Sequence, residues 1–411
     1  MQHGAETAGG AIAAGNAGSS VARAMRDGLN FEDILALAMR ESGAHHFADE
    51  DLRQRAASLV ERFNSRGPFP PHKLEAISRQ LQRMLANRLK VLLDRERYPE
   101  IAAETIERPI FIIGFPRSGT TLLHALLAED PEALALQSWH MFSPSPPPGA
   151  EPVARERIAY AQRRIEEWMD FNPAQKPMHP YIDKGAYQLC ENEELYSLDF
   201  HNAYPYYYHQ MPALEPADVM AADSVSAYRF QHDFLQHLQW KSGKRSWVCK
   251  EPSAQMHLEA LFEVFPDALC VWPHRPLVEI YASNVALRAA IFDTIGGKPR
   301  DWTQQPRQLV LNMKAAFDGL MASDMIRDPR ILHLNFRDVA ADPTAVVGRI
   351  YAQLGREVSP AFASRIAAWL GDSENAVDRF GRYPYSYEAF GLDREWVAEL
   401  FADYSRYFEL E

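Results

Sequence analysis

Cysteine is scarce in this chain: Cys190, Cys249 and Cys270 are the only three in 411 residues. An odd trio without C-x-x-C spacing excludes a disulfide framework and a cysteine-based zinc site, and it suits a reducing compartment. No apolar run approaches the roughly 18 to 20 residues that a membrane helix requires, so no membrane span is expected. Basic residues are also in deficit, with 43 Lys and Arg against 55 Asp and Glu and a formal charge of −12. A net acidic surface disfavours nucleic acid and anionic membranes as partners, whereas a small anion needs only a local basic pocket. The first 20 residues carry six Ala and five Gly but no Lys or Arg, and so lack the basic start and apolar core of a secretory leader. Residues 1–28 read as a flexible tail, and the protein as cytoplasmic.

Apolar residues are plentiful: 47% of the chain is hydrophobic and 11% aromatic. That guarantees a sizeable core, arranged as one large domain with an appendage or as two to three domains. From about Phe31 to Arg97 the pattern has helical period. Leu74, Ile77, Leu81, Leu85, Leu89 and Leu92 recur three or four apart between Arg79, Arg83, Arg88 and Lys90, which predicts one long amphipathic helix. A shorter helix around Leu52, Ala56, Leu59 and Phe63 ends at Gly67-Pro68-Phe69-Pro70-Pro71. Residues 29–105 therefore form a helical N-terminal region.

The pattern changes at Pro109-Ile110-Phe111-Ile112-Ile113-Gly114, a short apolar run suited to a strand buried on both faces. Similar runs at 247–249, 268–272 and 331–336 each precede a segment of helical character. Strand followed by helix, repeated, predicts an α/β domain over 106–411: a three-layer sandwich around a short parallel sheet. Within it, about a hundred residues (144–245) form a largely helical insertion large enough to cap a site. This runs from a proline-rich loop, Pro144 to Pro152, to the cluster Tyr204-Pro205-Tyr206-Tyr207-Tyr208.

Gly114-Phe115-Pro116-Arg117-Ser118-Gly119-Thr120-Thr121 follows the first strand and opens an apolar helix. A glycine-containing turn between strand and helix aims backbone N–H groups and a helix dipole at one anion. Compared with the nucleoside-triphosphate loop G-x-x-x-x-G-K-[ST], the glycines are in place, but Thr120 stands where the lysine belongs and the charge sits on Arg117. The strand over 268–272 ends in Pro273-His274-Arg275 rather than in a Mg²⁺-holding Asp, which argues against an ATP-dependent kinase. No metal site is expected.

These residues resemble the sulfotransferases that use 3′-phosphoadenosine 5′-phosphosulfate (PAPS). Pro116 to Thr121 match the family's phosphosulfate loop P-[KR]-[ST]-G-T-T, and Arg275 with Ser283 eight residues on match its 3′-phosphate element. The resemblance is closest to a bacterial-type branch and extends from about Leu29 through Trp247 to Pro252 and on to Phe390-Gly391-Leu392. It implies that Pro116, Arg117, Ser118, Gly119, Thr120 and Thr121 hold the 5′-phosphosulfate. Arg275 and Ser283, with Arg382 and Arg379 reaching in from a late loop, would bind the 3′-phosphate. Lys250 would face the sulfuryl or leaving oxygens. The activity implied is in-line sulfuryl transfer to a hydroxyl or amine of a small, partly apolar acceptor; the tyrosine cluster either lines an apolar acceptor pocket or covers the core. One departure matters: where the branch has His four residues after Lys250, this chain has Ala254, and a catalytically inactive nucleotide-binding homologue stays open on that account. The proton acceptor is expected at His140, in Gln137-Ser138-Trp139-His140, where the branch resembles the tyrosylprotein enzymes in placing a Glu base; Glu251 is the runner-up. Glu191, Glu193 and Glu194 read as a solvated acidic face, and His179 and His124 as core histidines.

Overall fold

The computed structural model describes residues 28–47, 49–65, 67–179, 181, 184–201, 224–296, 302–303, 305–381 and 383–410. Apart from Gly28 the expected tail lies outside them, as do the cluster Tyr204 to Tyr208 and Arg382.

Among the described residues the N-terminal region holds the helices Phe31–Ser42, Glu50–Asn64 and Pro71–Arg97, followed by a single helical turn at Pro99–Ala103. Side chains with short polar ends start the first two, Asn30 accepting from the Asp33 N–H and Asp49 from that of Leu52. The third buries the stripe read from the sequence, Leu74, Ile77, Leu81, Leu85 and Leu89. By its contacts the chain divides within this long helix, into one unit up to Leu89 and another from Lys90 onward.

The second unit is built on five parallel strands: β1 (Ile110–Ile113), β2 (Ala133–Ala135), β3 (Ser246–Glu251), β4 (Leu269–His274) and β5 (Ile331–Asn335). They lie side by side in the order β2-β3-β1-β4-β5. The four longer strands coincide with the apolar runs. β2 is an addition, since Ala-Leu-Ala carries little strand preference and is extended here by pairing with Ser246, Trp247 and Val248.

Strand alternation sorts the core into two layers. Phe111, Ile113, Trp247, Cys249, Cys270 and Trp272 face one side, where they pack with Tyr228, Phe234, Ile280 and Phe317 from the helices Ser224–Gln239, Leu277–Gly296 and Gln305–Ala322. Ile110, Ile112, Val248, Leu269 and Val271 face the other, against Leu123, Leu126, Val346, Ile350 and Phe362 from the helices Thr120–Leu127, Pro343–Gln353 and Pro360–Gly371. Helix, sheet, helix is the expected sandwich. From β1 the chain crosses first toward β2 and β3 and then to β4 and β5 on the other side. The carboxyl ends of β3, β1 and β4 therefore border the crevice where open parallel sheets take ligands.

Candidate functional site

Each of those three strand ends contributes part of one cluster. β1 runs into Gly114, whose φ of 108° is left-handed and whose hypothetical Cβ would stand 2.5 Å from Trp272 Cδ1, so no side chain fits. Gln255 Oε1 accepts the Gly114 N–H at 3.1 Å and Asn284 Nδ2 donates to the Pro116 carbonyl at 3.1 Å, fixing the loop from both sides. Gly119, at φ 98°, closes the turn over Phe336 and caps the helix Thr120–Leu127. The N–H groups at the start of that helix have no carbonyl within the helix to bond, and they carry the positive end of its dipole.

Arg117 is not glycine and yet sits at φ 75°. That conformation costs a non-glycine residue about 1–2 kcal/mol, and strain of this kind collects at binding sites. Its guanidinium holds the Met178 carbonyl at 2.6 Å, while Arg275 Nη1 donates to the Arg117 carbonyl at 3.3 Å. Burial lowers the pKa of Arg117, and the nearby Arg275 adds to that lowering. Two arginines linked in this way beside a helix N-terminus have the chemistry to hold an anion. The remaining loop side chains divide in role. Ser118 is buried with its hydroxyl on the Phe115 carbonyl at 2.7 Å, and Thr120 is buried. Thr121 Oγ1 accepts from Lys250 Nζ at 3.0 Å.

Lys250 and Glu251 are neighbours on β3 and point to opposite faces, which separates their chemistry. Lys250 lies opposite Ile112 in the β1 register and turns toward the phosphate-loop helix. Its side chain is 3% exposed and its ammonium meets Glu191 Oε1 at 2.7 Å. His179 Nε2 stands 3.8 Å from the same oxygen. Lys250 drives the Glu191 pKa well below the ordinary carboxylate range, against the effect of burial.

Glu251 turns the other way, 1% exposed, with the hydroxyls of Tyr196 and Tyr228 donating to Oε1 at 2.8 and 2.7 Å. Burial, aided by Glu193, pushes its pKa up to about 8. It is a buried acid of the core, on the sheet face opposite Lys250. His140 does not join the loop cluster. Its Nδ1 accepts the Gln137 N–H at 3.0 Å in a capping box, and its ring leans on Trp139 with centroids 4.0 Å apart. Burial, with Arg157 and His237, lowers its pKa to about 3.

Several other readings change. Glu193 and Glu194 are each 5% exposed and the Glu191 side chain 15%, so this stretch is buried rather than solvated. Asn192 Oδ1 accepts the Lys250 N–H at 3.1 Å, so the stretch is fastened to β3. His124 is a core histidine as expected, 3% exposed, whereas His179 borders the site. Ala254 lies in the hydrophobic core at 0% exposure. Arg275 does pair with Glu279, Nε to Oε2 at 2.9 Å, and its guanidinium covers the Phe336 ring at 4.4 Å. Ser283 is 9% exposed, and Asn284 beside it holds the loop. Arg379 is taken up by Glu374 at 2.5 Å. Among the described residues, no group of three or more His, Cys, Asp or Glu side chains is placed to hold a metal ion, and no helix is long and apolar enough to cross a membrane.

A strand, a glycine-containing turn carrying Arg rather than Lys before a helix, and a second Arg just past the end of β4 stand together, in the order that the sequence has them. A model of the sulfotransferase family matches residues 109–360, more than half of the chain. The chain belongs to the sulfotransferase family. This sulfotransferase is an enzyme of a family that uses PAPS. Its fold is shared with the sulfotransferase STF9 from Mycobacterium avium: the TM-score is 0.76 at 27% identity, covering 92% of this chain and 97% of that one. It is also shared with STF1 from Mycobacterium tuberculosis H37Rv, with TM-score 0.71, 25% identity, and coverage of 92% and 99%. A curated relative, the omega-hydroxy-beta-dihydromenaquinone-9 sulfotransferase Stf3 of Mycobacterium bovis, is 24% identical over 275 residues, 66% of this chain and 69% of that protein.

Proposed function

We propose that this sulfotransferase moves the sulfuryl group of PAPS onto a hydroxyl of a small, partly apolar acceptor by in-line displacement. The observation that carries the reading is the meeting of Arg117, Arg275, the helix N-terminus at Thr120 and the buried Lys250 ammonium at adjoining strand ends. Arg117 and the N–H groups of Ser118 to Thr121 would hold the 5′-phosphosulfate, and Arg275 with Ser283 the 3′-phosphate. Lys250 would face the bridging oxygen, where negative charge develops as the S–O bond breaks and the bisphosphate leaves. A new S–O bond forms to the acceptor oxygen, whose proton needs an acceptor in reach. We assign that role to Glu191. It shares the Lys250 ammonium, and as that ammonium is drawn to the leaving oxygen the carboxylate loses its main stabilising partner and gains basicity. His140 is then the alternative, decided by variants discussed below. A hydroxyl of a partly apolar molecule is favoured over an amine by the relative Stf3, whose name describes an ω-hydroxylated menaquinone acceptor.

Two measurements test the donor site. The 3′,5′-bisphosphate should raise the melting temperature in the presence of EDTA, since ligand at a hundredfold excess over Kd stabilises the fold by about 2.7 kcal/mol. A shift with ATP and Mg²⁺ but none with the bisphosphate would contradict the reading. Arg275→Ala should weaken the bisphosphate far more than 5′-AMP, because the lost bonds are charge-assisted and worth roughly 1.5–3 kcal/mol. Equal loss for both nucleotides would make Arg275 structural.

A further inference from the structure

His274, the last ladder residue of β4, is 1% exposed and immediately precedes Arg275. Its Nε2 lies 2.8 Å from Nδ1 of His333 on β5. His333 Nε2 lies 2.8 Å from the Ile326 carbonyl, and His274 Nδ1 lies 2.7 Å from the Tyr404 hydroxyl. A carbonyl only accepts, so His333 Nε2 carries a proton. In a neutral imidazole the other nitrogen is then bare, and His333 Nδ1 must accept from His274 Nε2–H. By the same count His274 Nδ1 is bare and the Tyr404 hydroxyl donates to it. Burial holds both rings below their ordinary pKa, His274 with a contribution from His333, so both are neutral near pH 7.

Only one polarity satisfies the chain, Tyr404 to His274 to His333 to Ile326. Moving the proton of either ring to its other nitrogen sets two donors or two acceptors face to face, at the cost of a buried unsatisfied group. Phe408 lies flat on the His274 ring, centroids 3.6 Å apart and planes 14° apart, and closes it from the C-terminal end of the chain. The end of β4 is therefore held by β5, by the turn Asp324–Arg327 and by the helix Ala402–Tyr407. Arg275 starts from that anchored point.

We propose that the directed chain Tyr404–His274–His333–Ile326 is a positioning device for Arg275, fixing the strand end so that its guanidinium is aimed at the nucleotide's 3′-phosphate. This rests on the reading of Arg275 as the 3′-phosphate ligand. His274, His333 and Tyr404 are positioning residues, acting through Arg275. Were the chain to serve stability alone, breaking it would lower the melting temperature and weaken all nucleotides alike.

The test compares His333→Leu, His333→Gln, Tyr404→Phe and Arg275→Ala in the full chain, reading Kd for the 3′,5′-bisphosphate and for 5′-AMP by calorimetry. His333→Leu should weaken the bisphosphate about tenfold and 5′-AMP by less than about threefold, the size expected for misplacing one charge-assisted contact. Glutamine carries both an acceptor and a donor, so His333→Gln should restore most of that affinity. Tyr404→Phe removes one oxygen, leaves the packing intact, and should also show a selective loss; it carries the test if His333→Leu does not fold. Nitrogen-15 spectra of the wild-type imidazoles should place the proton on Nε2 of both rings. Equal loss for both nucleotides, no loss, or a proton on Nδ1 of either ring would overturn the inference. If Arg275→Ala itself shows no selectivity, the reading of Arg275 falls instead, and the two failures are distinguishable.

Discussion

Lys250→Met should lower kcat by about a hundredfold to a thousandfold while changing bisphosphate affinity by less than about threefold, as removal of a donor aimed at developing charge does elsewhere. The Lys250 side chain is 3% exposed and, among the described residues, its ammonium bonds Glu191 and Thr121 of the site, so the effect is expected at the reacting centre. The variant also strands Glu191. Removing one partner of a buried pair costs about 3–5 kcal/mol, whereas removing both charges costs much less. Adding Glu191→Gln to Lys250→Met should therefore recover melting temperature without recovering turnover. If the double variant melts no higher than Lys250→Met alone, the pair is not the tight couple that its 2.7 Å separation indicates.

Glu191→Gln alone should reduce kcat by about a hundredfold to ten-thousandfold, the range for loss of a general base, with donor affinity preserved or improved because Lys250 no longer faces a competing carboxylate. Single-turnover rates with bound PAPS would read this directly. His140→Ala, measured the same way, decides between the two candidates. Its ring is engaged at Nδ1 by the Gln137 N–H and buried against Trp139, so turnover should be little changed. Loss of turnover in His140→Ala with Glu191→Gln active would return the proton acceptor to His140.

What the sequence made legible is what local chemistry encodes. β1, the turn from Gly114 to Thr121 and Arg275 are readable because a phosphate site needs glycines, a cation and a helix start at fixed spacing after a strand. Lys250 is readable because it ends an apolar run. Glu191 and His179 come from the insertion, and no local pattern shows an acidic stretch folding back onto a lysine some sixty residues later; only tertiary pairing through Asn192 and Lys250 does so. The same holds for β2, three residues made extended by their neighbour. Glu251 misleads in the sequence because adjacency to Lys250 suggests shared chemistry, while strand alternation sends it to Tyr196 and Tyr228 on the opposite face. The solvated reading of Glu191, Glu193 and Glu194 failed for a related reason, since burial of acids depends on partners that composition does not reveal.

The central claim is sulfuryl transfer from PAPS at the Arg117, Lys250 and Arg275 cluster, and sulfur-labelled PAPS tests it most directly. With EDTA present and a long-chain alcohol offered alongside its amine and alkane counterparts, label should pass to the alcohol in step with release of the 3′,5′-bisphosphate, and the Lys250→Met variant should transfer at least about a hundredfold more slowly. Bisphosphate binding without transfer to any hydroxyl or amine would contradict the account and leave an inactive nucleotide-binding homologue.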